Sequence, residues 1–109
     1  MSAVVATDVL HIGNLEVRPS EYQVLIDNVR VNLTVREFQT FWALAERRDR
    51  VVPRHVIYEL VWSDQMSHRN RSVDVFVRKV RGKLLAAAPE WSYIHTHFGI
   101  GYRLSPERR

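Results

Sequence analysis

Hydrophobic periodicity changes twice along these 109 residues, and that double change limits the fold more than any single motif does. A period near two suits the pleat of a strand, and a period near 3.6 suits one face of a helix. The first third is made of short β-rich runs, VLHIG, NLEVR, YQVLI and VRVNL, parted by Gly13-Asn14, Pro19-Ser20 and Asp27-Asn28. Asp27-Asn28 suits a two-residue hairpin turn, because both residue types tolerate positive φ. The pattern then becomes helical. Thr34 opens TVRE, a capping box in which Thr34 and Glu37 cover each other's backbone N–H. Phe38, Phe41, Trp42, Leu44 and Ala45 follow at helical spacing. A second, short helix starts around Pro53, which suits a first helical turn, and buries Val56, Ile57, Leu60 and Val61 before Trp62. A third runs from about Ser72 to Ala88, where Pro89 stops it. Alternation returns in SYIHTH and GYRLS around the two glycines of FGIG. The reading is α+β: an N-terminal four-stranded antiparallel sheet (1–33), three helices (34–88) and a C-terminal β-hairpin (93–104). Without repeats or linkers, 1–109 is expected to be one domain.

The third helix poses a question of its own. From Arg69 to Lys83 it reads RNRSVDVFVRKVRGK, six cations and one acid, with an apolar residue at nearly every other position through the middle. On a wheel of about 100° per residue, Val73, Val77, Val80 and Leu84 share one arc. Ala87 falls beside them and Phe76 at the border. Opposite lie Arg71, Val75, Arg78, Lys79 and Gly82, with Arg81 and Lys83 on the flanks. The simplest account is a dry face packed inward and a charged face in water. Three details argue for a partner instead. Asp74 is the only acid and lies to the side. Val75 is expected to sit exposed among cations. Gly82 costs about 1 kcal/mol of helix propensity relative to Ala, which is tolerable where something must approach closely. Arginines grip phosphates and guanine edges, and a small apolar side chain meets a thymine methyl.

Charge distribution points the same way. The net charge is +4, yet residues 1–33 carry four acids and two bases, so the excess belongs to the rest of the chain. A polyanion is the expected partner. There are no cysteines, which excludes disulfides and thiolate chemistry and fits a reducing cytoplasm. No apolar run approaches the roughly 20 residues that span a bilayer, and the start, MSAVVATDVL, does not read as a signal peptide. Neither a membrane partner nor a cofactor is expected. No phosphate-binding glycine loop, nucleophile elbow or His/Glu metal motif is present, so no enzyme is read. His95 and His97 share one side of a strand but lack the further ligands of a metal site. Trp91 and Tyr93 are expected to cover the end of the third helix, and Arg108-Arg109 to form a frayed basic tail.

Four segments together, LTVREF (33–38), VWS (61–63), RSVDVFVRKVRGKL (71–84) and HTHFGIGYRL (95–104), resemble the winged-helix effector domain of OmpR/PhoB-type bacterial response regulators. The resemblance covers essentially the whole chain. It implies a winged helix-turn-helix that binds promoter DNA in a two-component system, with the third helix in the major groove and the wing near the minor groove. It implies that Arg71, Val75, Arg78, Lys79 and Arg81 approach bases or phosphates, that the Trp62 indole reaches a phosphate, and that Thr96 touches the backbone. His97 can donate to phosphate, more readily when protonated. Tyr102 is read as packing. The 63–70 loop corresponds to a segment that meets RNA polymerase in some members, and paired copies on adjacent half-sites fit so small a domain.

Departures from the family pattern are specific. Phe76 stands where many members have a phosphate-contacting histidine, Phe98 where the wing tip usually has an arginine, and Ser63 where glycine is common. Without the wing cation, about one phosphate contribution to the salt dependence is lost. Either Phe98 touches sugars or wedges weakly, as apolar side chains do in some minor-groove binders, or the wing does not read DNA; weakened wing readout is expected. The main expectation is a sequence-specific double-stranded-DNA-binding domain of a transcriptional regulator. The competing one is a winged helix serving mainly as a protein-interaction module, appended to an enzyme or signalling domain.

Overall fold

The computed structural model describes residues 8–67 and 70–109. The chain start, read above for a signal peptide, and residues His68 and Arg69 of the loop and basic stretch lie outside them. Strands β1 (Leu10–Ile12), β2 (Leu15–Arg18), β3 (Gln23–Ile26) and β4 (Val29–Val31) form an antiparallel sheet in sequential order. Asp27 and Asn28 both adopt positive φ, 50° and 68°, and join Ile26 to its partner Val29 in the two-residue hairpin expected of them. Alternation sets the buried face. Leu15, Val17, Val24 and Ile26 are buried, while Glu16 and Arg18 between them are only partly so.

Helix α1 (Val35–Ala45) begins with the expected capping box. The Thr34 N–H donates to Glu37 Oε1 at 2.8 Å, and the Glu37 N–H donates to Thr34 Oγ1 at 3.3 Å. Phe38, Phe41, Trp42, Leu44 and Ala45 are all buried. Helix α2 (Arg54–Trp62) starts one residue after Pro53, which serves as its N-cap. Ile57 and Val61 are buried, and Val56 and Leu60 pack against the core. Helix α3 (Ser72–Ala87) buries Val73, Val77, Val80 and Leu84, the stripe read from the wheel, and lies against α1. One assignment is corrected. Ala87 is exposed and Ala88 is buried in its place, because the chain leaves helical geometry at Ala88 (φ −145°) and turns that side chain inward.

The C-terminal hairpin is longer than expected, with β6 (Trp91–His97) and β7 (Gly101–Arg108), and it gains a third strand, β5 (Val52–Pro53), in the order β5-β7-β6. Two residues carry no readable period, which is why β5 escapes the sequence. Its pairing explains Gly101: a Cβ there would sit 1.9 Å from the Val52 carbonyl oxygen. Nor is the C-terminal tail frayed. The Arg108 guanidinium lies over Trp91 at 5.4 Å, and the Arg109 N–H donates to the Glu90 carbonyl at 2.8 Å. Trp91 and Tyr93 stack, and with Leu84 and Leu85 they line a crevice at the end of α3.

Candidate nucleic-acid interface

The amphipathic spacing of α3 turns Arg71, Arg78 and Lys79 outward, and all three are exposed, as is Gly82. A Cβ at Gly82 would meet nothing within 4 Å. No packing inside the protein requires glycine there. Val75, expected to be exposed, is instead half-buried among these cations. The Lys79 ammonium sits 4.8 Å from the Phe76 ring centre. Phe76 in turn meets the edge of Trp62 (5.6 Å), which stacks on Tyr58 (4.9 Å) and carries the Arg36 guanidinium at 5.0 Å. Arg36 also donates to the Val61 carbonyl at 2.9 Å. The aromatic substitution at Phe76 is thus packed into a half-buried cation–aromatic ladder, with Lys79 at its outer end.

Asp74, the only acid of α3, is bonded chiefly to Arg54 and Tyr102, and Arg71 of the outer face stands 4.0 Å from it. Its carboxylate accepts two bonds from Arg54 (3.0 and 2.6 Å) and one from the Tyr102 hydroxyl (2.6 Å). Burial alone would raise its pKa, but the bonds from Arg54 and Tyr102 more than offset that and hold it below the usual carboxylate range. The Tyr102 phenol is pushed up to about 12, by burial first and then by its bond to Asp74. The negative charge on α3 is therefore neutralised locally, and the same contacts join α2, α3 and the wing.

Two of the basic residues serve the fold. Arg81 Nη2 donates to the Ile94 carbonyl and to Thr96 Oγ1, both at 2.9 Å, and Arg81 Nε also reaches Ile94. This clamps α3 to β6 and occupies Thr96 as well. Lys83 Nζ donates to Glu37 Oε1 at 2.7 Å. Glu37 is 4% exposed. Its burial is outweighed by the Lys83 and Thr34 hydrogen bonds, which lower its pKa. On the wing, Arg103 Nε donates to His97 Nε2 (3.2 Å), which leaves only the Nδ1 side of that ring to donate elsewhere. His95 Nε2 donates to the Ser105 carbonyl at 2.7 Å. Phe98 is 91% exposed at the tip and Ile100, beside it, 56%.

Of the site residues read from sequence, Arg71, Val75, Arg78 and Lys79 thus share the outer face of α3. Trp62 lies inside the ladder, Arg81 and Thr96 form the clamp, and His97 and Phe98 reach toward the tip. Sequence reasoning missed Arg36, Arg54 and Ile100. Arg54 is twenty residues from Asp74, a separation with no periodic signal, although a lone acid in the first turn of so basic a helix was itself a clue. Ile100, an apolar residue between two turn glycines, was another. Among the described residues no three His, Asp or Glu side chains converge as metal ligands, and no helix is long and apolar enough to cross a membrane.

Comparison with known proteins places this geometry. Residues 28–104 match the family described as "Transcriptional regulatory protein, C terminal". Transcriptional regulatory protein HprR of Escherichia coli is 36% identical over 93 residues, covering 85% of this chain and 41% of that protein. SrrA of Staphylococcus aureus is 33% identical over 99 residues, 90% of this chain and again 41% of the relative. The chain thus spans about two-fifths of the length of these relatives. Among solved structures, the Klebsiella pneumoniae RstA DNA-binding domain in complex with the RstA box superposes with a TM-score of 0.81 at 28% identity, covering 90% of this chain and 97% of that one. The family model covers residues 28–104, and the chain belongs to the family of C-terminal domains of transcriptional regulatory proteins.

Proposed function

We propose that this domain binds double-stranded DNA sequence-specifically as the output module of a bacterial transcriptional regulator, with α3 in the major groove. The observation that carries the reading is the outer face of α3. It presents exposed Arg71, Arg78 and Lys79, while the charge of the helix's one acid is taken up by Arg54 and Tyr102, with Arg71 4.0 Å away. A merely solvated face would mix its signs. Gly82 supports the reading too, since nothing inside the protein approaches it. The RstA relative is seen in complex with its RstA box, which makes duplex DNA the natural partner to test. In this reading Arg71 and Lys79 grip phosphates, Arg78 reads a base edge and Val75 meets a thymine methyl. Trp62, Thr96 and His97 fix the docking register, and Arg81 acts through the clamp. The domain works as one unit in the cytoplasm, as a binding module and not an enzyme. Two copies occupy paired half-sites, and the 63–70 loop is available to RNA polymerase.

The experiment is enrichment of bound sequences from random duplexes, followed by a salt titration on the winning site. A repeated motif with affinity falling steeply in salt is expected. Arg78→Ala should then cost about 1–3 kcal/mol and relax the preference at one position. Equal loss on every sequence would make Arg78 a phosphate contact. Failure to bind any duplex at low salt would overturn the reading in favour of a protein-interaction module.

A further inference from the structure

We propose that Phe98 is an apolar wedge: with α3 in a major groove, the wing tip enters the adjoining minor groove, where Phe98, backed by Ile100, parts a base step and bends the duplex. This rests on the DNA-binding reading and adds the part played by the wing.

Placement of the tip carries the argument. Strand β6 runs back along α3, held by Arg81 at Ile94 and Thr96. Nearer the tip, the Arg54 N–H donates to the Ile100 carbonyl at 3.2 Å, and Tyr102 is tied to Asp74 in the first turn of α3. The tip is therefore fixed beside the N-terminal end of α3, the end from which a recognition helix reads bases. Between them lies a cleft of about 270 Å³, lined by Arg54, Thr96, His97, Tyr102 and Phe98 and also by Asp74, whose carboxylate is engaged by Arg54 and Tyr102. In a duplex, one sugar–phosphate strand separates a major groove from its neighbouring minor groove. A strand lying in this cleft, against Arg54 and the Thr96 hydroxyl, puts the tip in the minor groove.

The chemistry of the tip decides what happens there. Phe98 and Ile100 offer no donor or acceptor to base edges and no charge to phosphates. They project instead of folding back, 91% and 56% exposed. The turn is closed by the Ile100 N–H on the His97 carbonyl (2.9 Å), with Gly99 at φ +79°. Gly101 is held against Val52 behind it. A flat apolar side chain on a braced support is the form of a minor-groove wedge. Pyrimidine–purine steps yield most easily to one, so the bound site should carry such a step opposite the wing.

The test uses an enriched duplex of about 30 base pairs, the length over which a bend is readily resolved, labelled at both ends for energy transfer. A second duplex carries 2-aminopurine at successive steps on the wing side. Wild-type protein should shorten the end-to-end distance and brighten 2-aminopurine at one step. Phe98→Ala should abolish both effects and weaken binding roughly tenfold, as expected for losing one buried aromatic contact. Its salt slope should stay unchanged, and Phe98→Leu should restore part of the bend. Phe98→Arg should raise the salt slope by about one phosphate without restoring the bend. The inference is overturned if wild-type protein binds without bending or unstacking, or if Phe98→Ala binds and bends like wild type. Either result leaves the α3 reading standing and makes the tip a surface for protein. Absence of all duplex binding overturns both.

Discussion

Ser63 shows how a single departure from the family pattern acquires a physical meaning. It ends α2 in the left-handed conformation, φ 56° and ψ 35°, with its N–H on the Glu59 carbonyl. Glycine is the residue that takes this geometry without penalty, so Ser63 holds a strained cap beside Trp62. Ser63→Gly should stabilise the domain by about 1 kcal/mol, the lower end of the left-handed cost, read as a higher urea midpoint at unchanged slope. Gly82 is the opposite case. It lies inside α3 with open space around it, and Gly82→Ala should add about 1 kcal/mol of stability. If a DNA backbone passes close to that face, the same variant should bind its site less tightly. A stabilised protein with undiminished affinity would show that Gly82 keeps nothing clear.

Between elements, the question is what holds the wing to α3. Arg81 bridges to Ile94 and Thr96, and Asp74 bridges to Arg54 and Tyr102. Arg81→Met keeps most of the apolar stem and removes the bridge. It should speed amide hydrogen exchange across Ile94–His97 and weaken duplex binding, while Arg78→Ala leaves that exchange unchanged. Equal protection in both variants would make Arg81 dispensable to the wing. The contrast also marks how far the sequence can be read. The buried stripe of α3, the capping box of α1 and the Asp27-Asn28 hairpin are local patterns written within a few residues, and each was legible. The cationic face was legible too, because helical spacing alone places Arg71, Arg78 and Lys79 together. What stayed hidden depends on distant pairing. β5 exists only because β7 lies beside it, Val75 is half-covered by its surroundings, and Arg81 and Lys83 look like surface cations until Thr96 and Glu37 are brought to them.

Across the fold, the ionisable groups that are shielded fall at the joints between units, and this sets how stability should vary with pH. Glu37 joins α1 to α3 through Lys83, and Asp74 joins α2, α3 and the wing; both carboxyls are held below their ordinary values. A depressed carboxyl contributes stability above its unfolded pKa and loses it as pH falls through the folded one. The domain should therefore weaken as pH drops below the ordinary carboxylate range of about 4. Tyr102 acts at the other limit. Its phenol is raised from 10.0 to about 12, so its contribution is complete below pH 10 and disappears as pH climbs through 12. Urea midpoints measured against pH should give a plateau with two falling limbs. Lys83→Met tests the acid limb specifically. It leaves the Glu37 carboxylate, 6% exposed at its side chain, without its cation, and Lys83 itself is 40% exposed. The cost at neutral pH should be about 1–2 kcal/mol, below that of breaking a fully buried pair because water reaches the lysine. With Lys83 gone, burial acts on Glu37 less opposed and its pKa rises. Protonation then relieves the unpaired charge, so the variant should recover relative to wild type as pH falls from 7 toward 4. A difference between the two proteins that stays constant over that range would mean that the Lys83–Glu37 contact carries no net charge coupling.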